Sequence, residues 1–254
     1  MHLNIQLESL FNLAKLTKYG APNSYDLAKC MAIIAMLIDH LGLFFFPDHA
    51  ILSIIGRISF PIFFFLIGYS QKFKNEKSIL ILALFMLVLD HILADKATIF
   101  FLNSSSILPT IIISRFFLNR SITLIKNNLL ISFFLLALYY IPIAVIFGYG
   151  TLGCMFMICG YLKRNNHRDL KSLIFLALTT MFYIILQGHT YPFWGIMIFT
   201  VEMLILLSWI YNFKINNYLI TNHCLNSLIL LCSRYSIYLY CVHFELFKII
   251  NMVI

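Results

Sequence analysis

The chain has 254 residues, 61% of them hydrophobic and 11% charged, with a formal charge of +8 at pH 7. Its mean hydropathy of +0.91 excludes a water-facing globule and makes lipid the solvent of the fold. Nor does the positive charge mark a nucleic-acid binder, because the basic residues fall in short clusters between apolar runs and not along one polar face.

Residues 1–23 begin MHLNIQLESLFNLAKLTK, which spaces Leu3, Leu7, Leu10 and Leu13 as an amphipathic interfacial helix does and lacks the pattern of a cleavable leader. Residues 24–254 read as a single transmembrane domain, an all-α polytopic bundle of about nine spans, with eight to ten compatible with the apolar runs. The expected spans are 27–46, 50–70, 78–95, 98–117, 128–148, 150–162, 171–188, 193–212 and 235–254. The sixth is short for a crossing, and NNYLITNHCLNSLILLCS at 216–233 is apolar enough for a partial or re-entrant segment. With a cytoplasmic N-terminus and strict alternation, the clusters around Lys15, Lys72, Arg115, Lys163 and Lys214 all fall inside, while Lys96 alone falls outside.

The first span carries Asp39 and His40, and the second carries Arg57. Ionisable groups are costly in hydrocarbon, so each is either shielded within the bundle or functional. At about 100° per residue, Asp26, Lys29 and His40 share one face of the first helix, a polar stripe running about 16 Å from one membrane edge inward. Asp39 is turned off that face by one step. Arg57 enters the antiparallel second helix at a depth similar to that of His40, so the two side chains are expected to meet in one water-accessible cavity. A structural reading stands beside the chemical one: an Asp39–Arg57 ion pair, a hydrogen-bonded His40, and an interfacial Asp26–Lys29 pair at i,i+3 spacing.

Glu202 is buried by position in the eighth expected span, where pairing with a basic residue or a tyrosine hydroxyl would be structural. In SRYSIYLYCVHFELFKII at the C-terminus, His243 sits in an apolar helix with Tyr240 three residues back on its face. The Asp-His dipeptides at 39–40, 48–49 and 90–91 do not predict a metal site, because adjacent helical residues diverge and no ligand spacing recurs. The six cysteines form no CxxC pair and read as small hydrophobes.

KCMAIIAMLIDHLGLFFFP followed by IIGRISFPIFFFLIGY resembles the signature of the TraX family of polytopic bacterial membrane proteins. YGTLGCMFMICGYLKR at 149–164 and YSIYLYCVHFELFKI near the C-terminus are similar to that family's middle and closing elements, so the resemblance covers both ends and the centre of the chain. TraX proteins in turn resemble, more distantly, the type-3 transmembrane acyltransferases of cell-surface glycans, whose first helix has the acid, base and histidine spacing of Asp26, Lys29 and His40. Two positions depart: Lys29 stands where those glycan enzymes have Arg, and Ser106 where a TraX-like chain has Asn.

The resemblance implies an acetyl-CoA-dependent acyltransferase of the bacterial inner membrane. Its prototype acetylates the N-terminal amine of a conjugative pilin subunit; an envelope amine or a glycan hydroxyl is the wider acceptor class. It makes His40, Arg57 and Asp39 the catalytic candidates, with His40 a general base and Arg57 stabilising the oxyanion. Asp26 and Lys29 become donor-binding candidates and Tyr240 and His243 acceptor-side candidates, with no metal. Two further classes fit buried ionisable residues: a proton-coupled transporter, against which stands the lack of an inverted repeat, and a non-catalytic scaffold.

Overall fold

The computed structural model describes residues 21–70, 76–93, 107–147, 149–165, 169–218 and 222–253. Most of the expected amphipathic segment lies outside the described residues, as do Lys15, Lys72, Lys96 and Ser106. Among the described residues the chain forms α1 (Ser24–Phe45), α2 (Ala50–Gly56), α3 (Ser59–Ser70), α4 (Glu76–Leu93), α5 (Ile107–Asn127) and α6 (Leu129–Leu138). There follow α7 (Tyr140–Phe147), α8 (Leu152–Arg164), α9 (Leu170–Gly188), α10 (Phe193–Asn212), α11 (His223–Arg234) and α12 (Ser236–Val253).

The expected count of eight to ten spans is overturned. Among the described residues only four stretches are long and apolar enough to cross a bilayer: Ser24–Phe45, Ala50–Ser70, Leu170–Gly188 and Phe193–Asn212. A fifth is reached only if Cys224–Arg234 and Ser236–Asn251, bent by 81° at their junction, count as one. The apolar runs behind the other expected spans have different fates. Run 128–148 is split into α6 and α7 just before Pro142, whose missing N–H cannot bond the carbonyl four residues back. Run 150–162 becomes α8, thirteen residues or about 20 Å, nearly all buried in protein rather than facing lipid. Helix α4 includes Glu76, Lys77 and Asp90, and α5 runs on through Arg115, Arg120 and Lys126, so neither is a clean apolar window. With four or five crossings, the nine-span alternation no longer orders the basic clusters.

The centre of the fold is the pair α3 and α8. Their backbones approach so closely that a Cβ on Gly68 would lie 1.9 Å from the Met157 carbonyl oxygen, and one on Gly160 2.0 Å from that of Phe65. Small residues permit this approach, and van der Waals packing, not water exclusion, holds helices together in lipid. Phe64, Phe65, Phe156 and Tyr183 are fully buried around it. The outward faces are apolar: Ile81 is 67% exposed, Leu138 71% and Val242 67%, a surface suited to acyl chains.

Basic residues gather where helices present their last carbonyls. At the C-terminal end of α3, Arg115 donates to the Ile67 carbonyl, Tyr25 to that of Leu66, and Arg164 to those of Tyr69 and Ser70. Lys163 donates to the Tyr211 carbonyl at the end of α10, and Lys29 to the Ser233 carbonyl at the end of α11. Each cation answers the negative end of a helix dipole. Helix α1 starts at this same end: Asn23 caps it, Asp26 closes the capping box, and residues 22–24 pair with 216–218 through an isolated antiparallel bridge.

Candidate active site

Helix α1 is the spine of the site and carries different chemistry on two faces. On the first, Asp26 accepts a 2.6 Å hydrogen bond from the Ser233 hydroxyl, and Lys29 reaches the Ser233 carbonyl at 3.4 Å while lying over the Tyr25 ring. Ser233 sits just before the bend that separates α11 from α12, so these contacts fasten the elbow to the beginning of α1. From the elbow α12 runs back along α1, with Phe244 against Phe44 and Phe247 against Phe45. It thereby delivers His243 to His40.

The two imidazoles meet at 2.7 Å, His40 Nδ1 to His243 Nε2, with ring centroids 4.9 Å apart and nearly parallel. Both histidines are buried, each 8% exposed. Aromatic rings enclose the pair: Phe244 lies 5.0 Å, Tyr240 6.0 Å and Phe44 6.3 Å from the His40 ring. The Tyr240 hydroxyl accepts from the backbone N–H of Ile107, the first residue of α5, and so satisfies a donor the helix cannot use itself. A cavity of about 30 Å³ or less would hold little more than one water; the one lined by Met36, Ile107, Ser236 and Tyr240 measures about 20 Å³ and lies one helical turn from His40.

The second face of α1 meets α2. A Cβ on Gly56 would fall 2.2 Å from that of Asp39, so the helices cross at this point and the next residue, Arg57, lands beside the carboxylate. Arg57 Nε is 3.9 Å from Asp39 Oδ1 and donates to the Tyr191 hydroxyl at 3.4 Å. Pro61 explains the break between α2 and α3: it has no N–H to give the carbonyl of Arg57. The Tyr183 hydroxyl supplies that bond instead, at 2.9 Å.

The sequence-derived candidates therefore separate into three groups. His40 is brought to His243 and Tyr240; Arg57 is brought to Asp39 and two tyrosines; Asp26 and Lys29 are brought to Ser233. Arg57 pairs with Asp39 and Tyr191 through its side chain and with Tyr183 through its carbonyl, whereas the imidazole contact of His40 is with His243. Glu202 on α10 has one carboxylate oxygen buried without a hydrogen-bond partner among the described residues. Ser233, Tyr183 and Tyr191 escaped sequence reasoning and carry no local signal. The capping role of Asp26 did have one: Asn23 followed three residues later by an acid is a capping-box spacing. Among the described residues no group of three or more His, Cys, Asp or Glu is placed to hold a metal ion.

A larger cavity, about 500 Å³, opens at the basic end between α10 and the start of α1, lined in part by Ser24, Trp209, Asn212, Lys214, Asn216 and Tyr218. Its size is in the range of small-molecule sites.

Comparison with known proteins gives three findings. The chain is 32% identical over 167 residues to Uncharacterized protein RP591 of Rickettsia prowazekii (strain Madrid E), an alignment covering 62% of this chain and 63% of that protein, which is less than two thirds of its length. No solved structure matches. The family model described as TraX protein matches residues 24–251, a stretch holding every helix that builds the two faces of α1, and the chain, a membrane protein by its apolar spans, belongs to the TraX family.

Proposed function

We propose that this protein is an inner-membrane acetyltransferase that moves an acetyl group from acetyl-CoA to an amine or hydroxyl of an envelope acceptor, the N-terminal amine of a pilin being the prototype. The observation that carries this reading is the buried His40–His243 pair at 2.7 Å, an imidazole base held inside a membrane helix by a second imidazole. Membership of the TraX family supports the same class.

In this reading His40 removes a proton from the acceptor as its nitrogen or oxygen attacks the thioester carbonyl. The tetrahedral intermediate collapses by breaking the C–S bond, and the proton on His40 passes to the departing CoA sulfur, so the base is regenerated. A buried, aromatic-walled site excludes water, which protects the thioester from hydrolysis. The donor approaches from the basic end, where Arg164, Lys163 and Lys214 favour a polyanion. The cavity there offers the Trp209 indole, the Lys214 ammonium and the Asn212 and Asn216 amides to an adenosine phosphate. Asp26 and Lys29 hold the α11–α12 elbow, and the Asp39–Arg57 pair clamps α2 to α1; both act on the site by positioning.

The test is acetyl-CoA turnover by purified protein in nanodiscs, paired with intact-mass comparison of envelope proteins and glycans from cells with and without the chain. Acetyl transfer or thioester hydrolysis that disappears in His40→Ala, together with one acceptor lighter by an acetyl group in the deleted cells, is expected. Turnover unchanged in His40→Ala, or no acetyl difference anywhere in the envelope, overturns the reading.

A further inference from the structure

The His40–His243 contact has a neighbour that gives it direction. His243 Nδ1 lies 2.6 Å from the backbone carbonyl oxygen of Leu239, one turn back on α12. A carbonyl only accepts, and its second lone pair remains available when the first serves the helix ladder. The hydrogen must therefore sit on Nδ1 of His243. In the neutral ring the other nitrogen, Nε2, then has a lone pair, and that atom faces His40 Nδ1 at 2.7 Å. So the hydrogen between the two rings belongs to His40 Nδ1, which leaves the His40 lone pair on Nε2, the nitrogen farther from His243.

We propose that the Leu239 carbonyl, His243 and His40 form an ordered chain of hydrogen bonds that holds His40 in the Nδ1–H tautomer, with Nε2 as the basic atom presented to the acceptor, and that His243 is the positioning residue of this chain. The proposal rests on the acyltransferase reading for the use made of Nε2, but the tautomer itself stands on the two distances alone. When Nε2 takes a proton, His40 keeps Nδ1–H pointed at the His243 lone pair, so the new imidazolium forms with a hydrogen-bond acceptor already in place and needs no reorganisation. A free imidazole prefers the opposite tautomer, with hydrogen on the nitrogen remote from the side-chain stem, so the chain reverses an intrinsic preference. The other ionisable groups around the pair among the described residues are Tyr240 on α12, and Asp39 with Arg57 across α1. The anionic and cationic members of the latter couple already face each other. Glu245, two residues along α12, is turned about 200° from His243.

The experiment is ¹⁵N–¹H NMR of protein labelled at histidine nitrogen in nanodiscs, with His40 assigned by its loss in His40→Gln. Wild type is expected to show His40 protonated at Nδ1 and unprotonated at Nε2 above neutral pH. His243→Phe, which keeps an aromatic ring and removes the acceptor, is expected to move the hydrogen to Nε2; His243→Gln, whose amide oxygen accepts, is expected to return it to Nδ1. Transfer should follow the tautomer: kcat falls about 100-fold in His243→Phe with KM little changed, the lower end of what a positioned base supplies, and recovers to within about tenfold in His243→Gln. A wild-type His40 carrying its hydrogen on Nε2 overturns the proposal, and that spectrum is recorded on the wild-type protein. So does a His243→Phe spectrum with the His40 tautomer unchanged. If the tautomers are as stated and no acetyl transfer is found, the acyltransferase reading fails while the chain stands; transfer with the wrong tautomer fails the chain alone.

Discussion

Asp39→Asn tests whether the Asp39–Arg57 couple is a clamp or part of the chemistry. Asp39 Oδ1 and Arg57 Nε are 3.9 Å apart, and the two side chains are 14% and 27% exposed. At an effective dielectric near 20, unit charges at that distance attract by about 4 kcal/mol. The contact is long and through one nitrogen, and both groups lose hydration to make it, so the net coupling should be about 1–2 kcal/mol. Asp39→Asn leaves the guanidinium in an apolar span with only tyrosine hydroxyls, and Arg57→Met leaves the carboxylate unpaired; each is expected to destabilise by about 2–3 kcal/mol. The double variant should cost less than the sum by the coupling. Reversible unfolding in mixed micelles, followed by tryptophan fluorescence, measures all four corners of the cycle, and acetyl transfer is measured on the same preparations. Activity is expected to follow stability, returning in the double variant with the regained free energy. Additive losses, within about 0.5 kcal/mol, would refute the pair as an interacting unit. A double variant that is stable but inactive would refute the clamp and put the guanidinium on the substrate.

Gly160→Ala forces a Cβ to 2.0 Å from the Phe65 carbonyl oxygen, so α3 and α8 must part by about 1.4 Å to reach ordinary contact at 3.4 Å. Overpacking of this kind costs about 1–3 kcal/mol and should lower the melting temperature in detergent by several degrees; an unchanged melt would contradict the close approach. His40→Ala should reduce acetyl transfer by at least about 100-fold while leaving the helical circular dichroism intact. Ser233→Ala removes the 2.6 Å bond to Asp26 and should cost about 1 kcal/mol in the unfolding assay. In the same variant, hydrogen exchange at the α11–α12 elbow should rise; exchange equal to wild type there would show that the contact does not hold the bend.

The membrane class, the apolar runs and the polar face shared by Asp26, Lys29 and His40 were legible from composition and helical periodicity, because both are properties of the chain within one element. The span count was not. An apolar run reads the same whether it faces lipid, as α9 and α10 largely do, or is enclosed by other helices as α8 is. Hydropathy registers the transfer of a side chain out of water and not what replaces the water. The break at Pro61 was open to a sequence reading, since proline leaves an acceptor unfilled; that Tyr183 fills it was not.

For the site, the sequence by itself determined which ionisable groups are held within the apolar helices and which of them share a helix face. It placed His40 opposite Arg57 in depth, and depth is only one coordinate. The tertiary structure alone decided the partners: the bend after Ser233 turns α12 back along α1, which sets His243 against His40, and the crossing at Gly56 sets Arg57 against Asp39. Periodicity fixes azimuth and rise about one helix axis, whereas pairing depends on how separate axes are brought together, and that is governed by packing between residues distant in the chain.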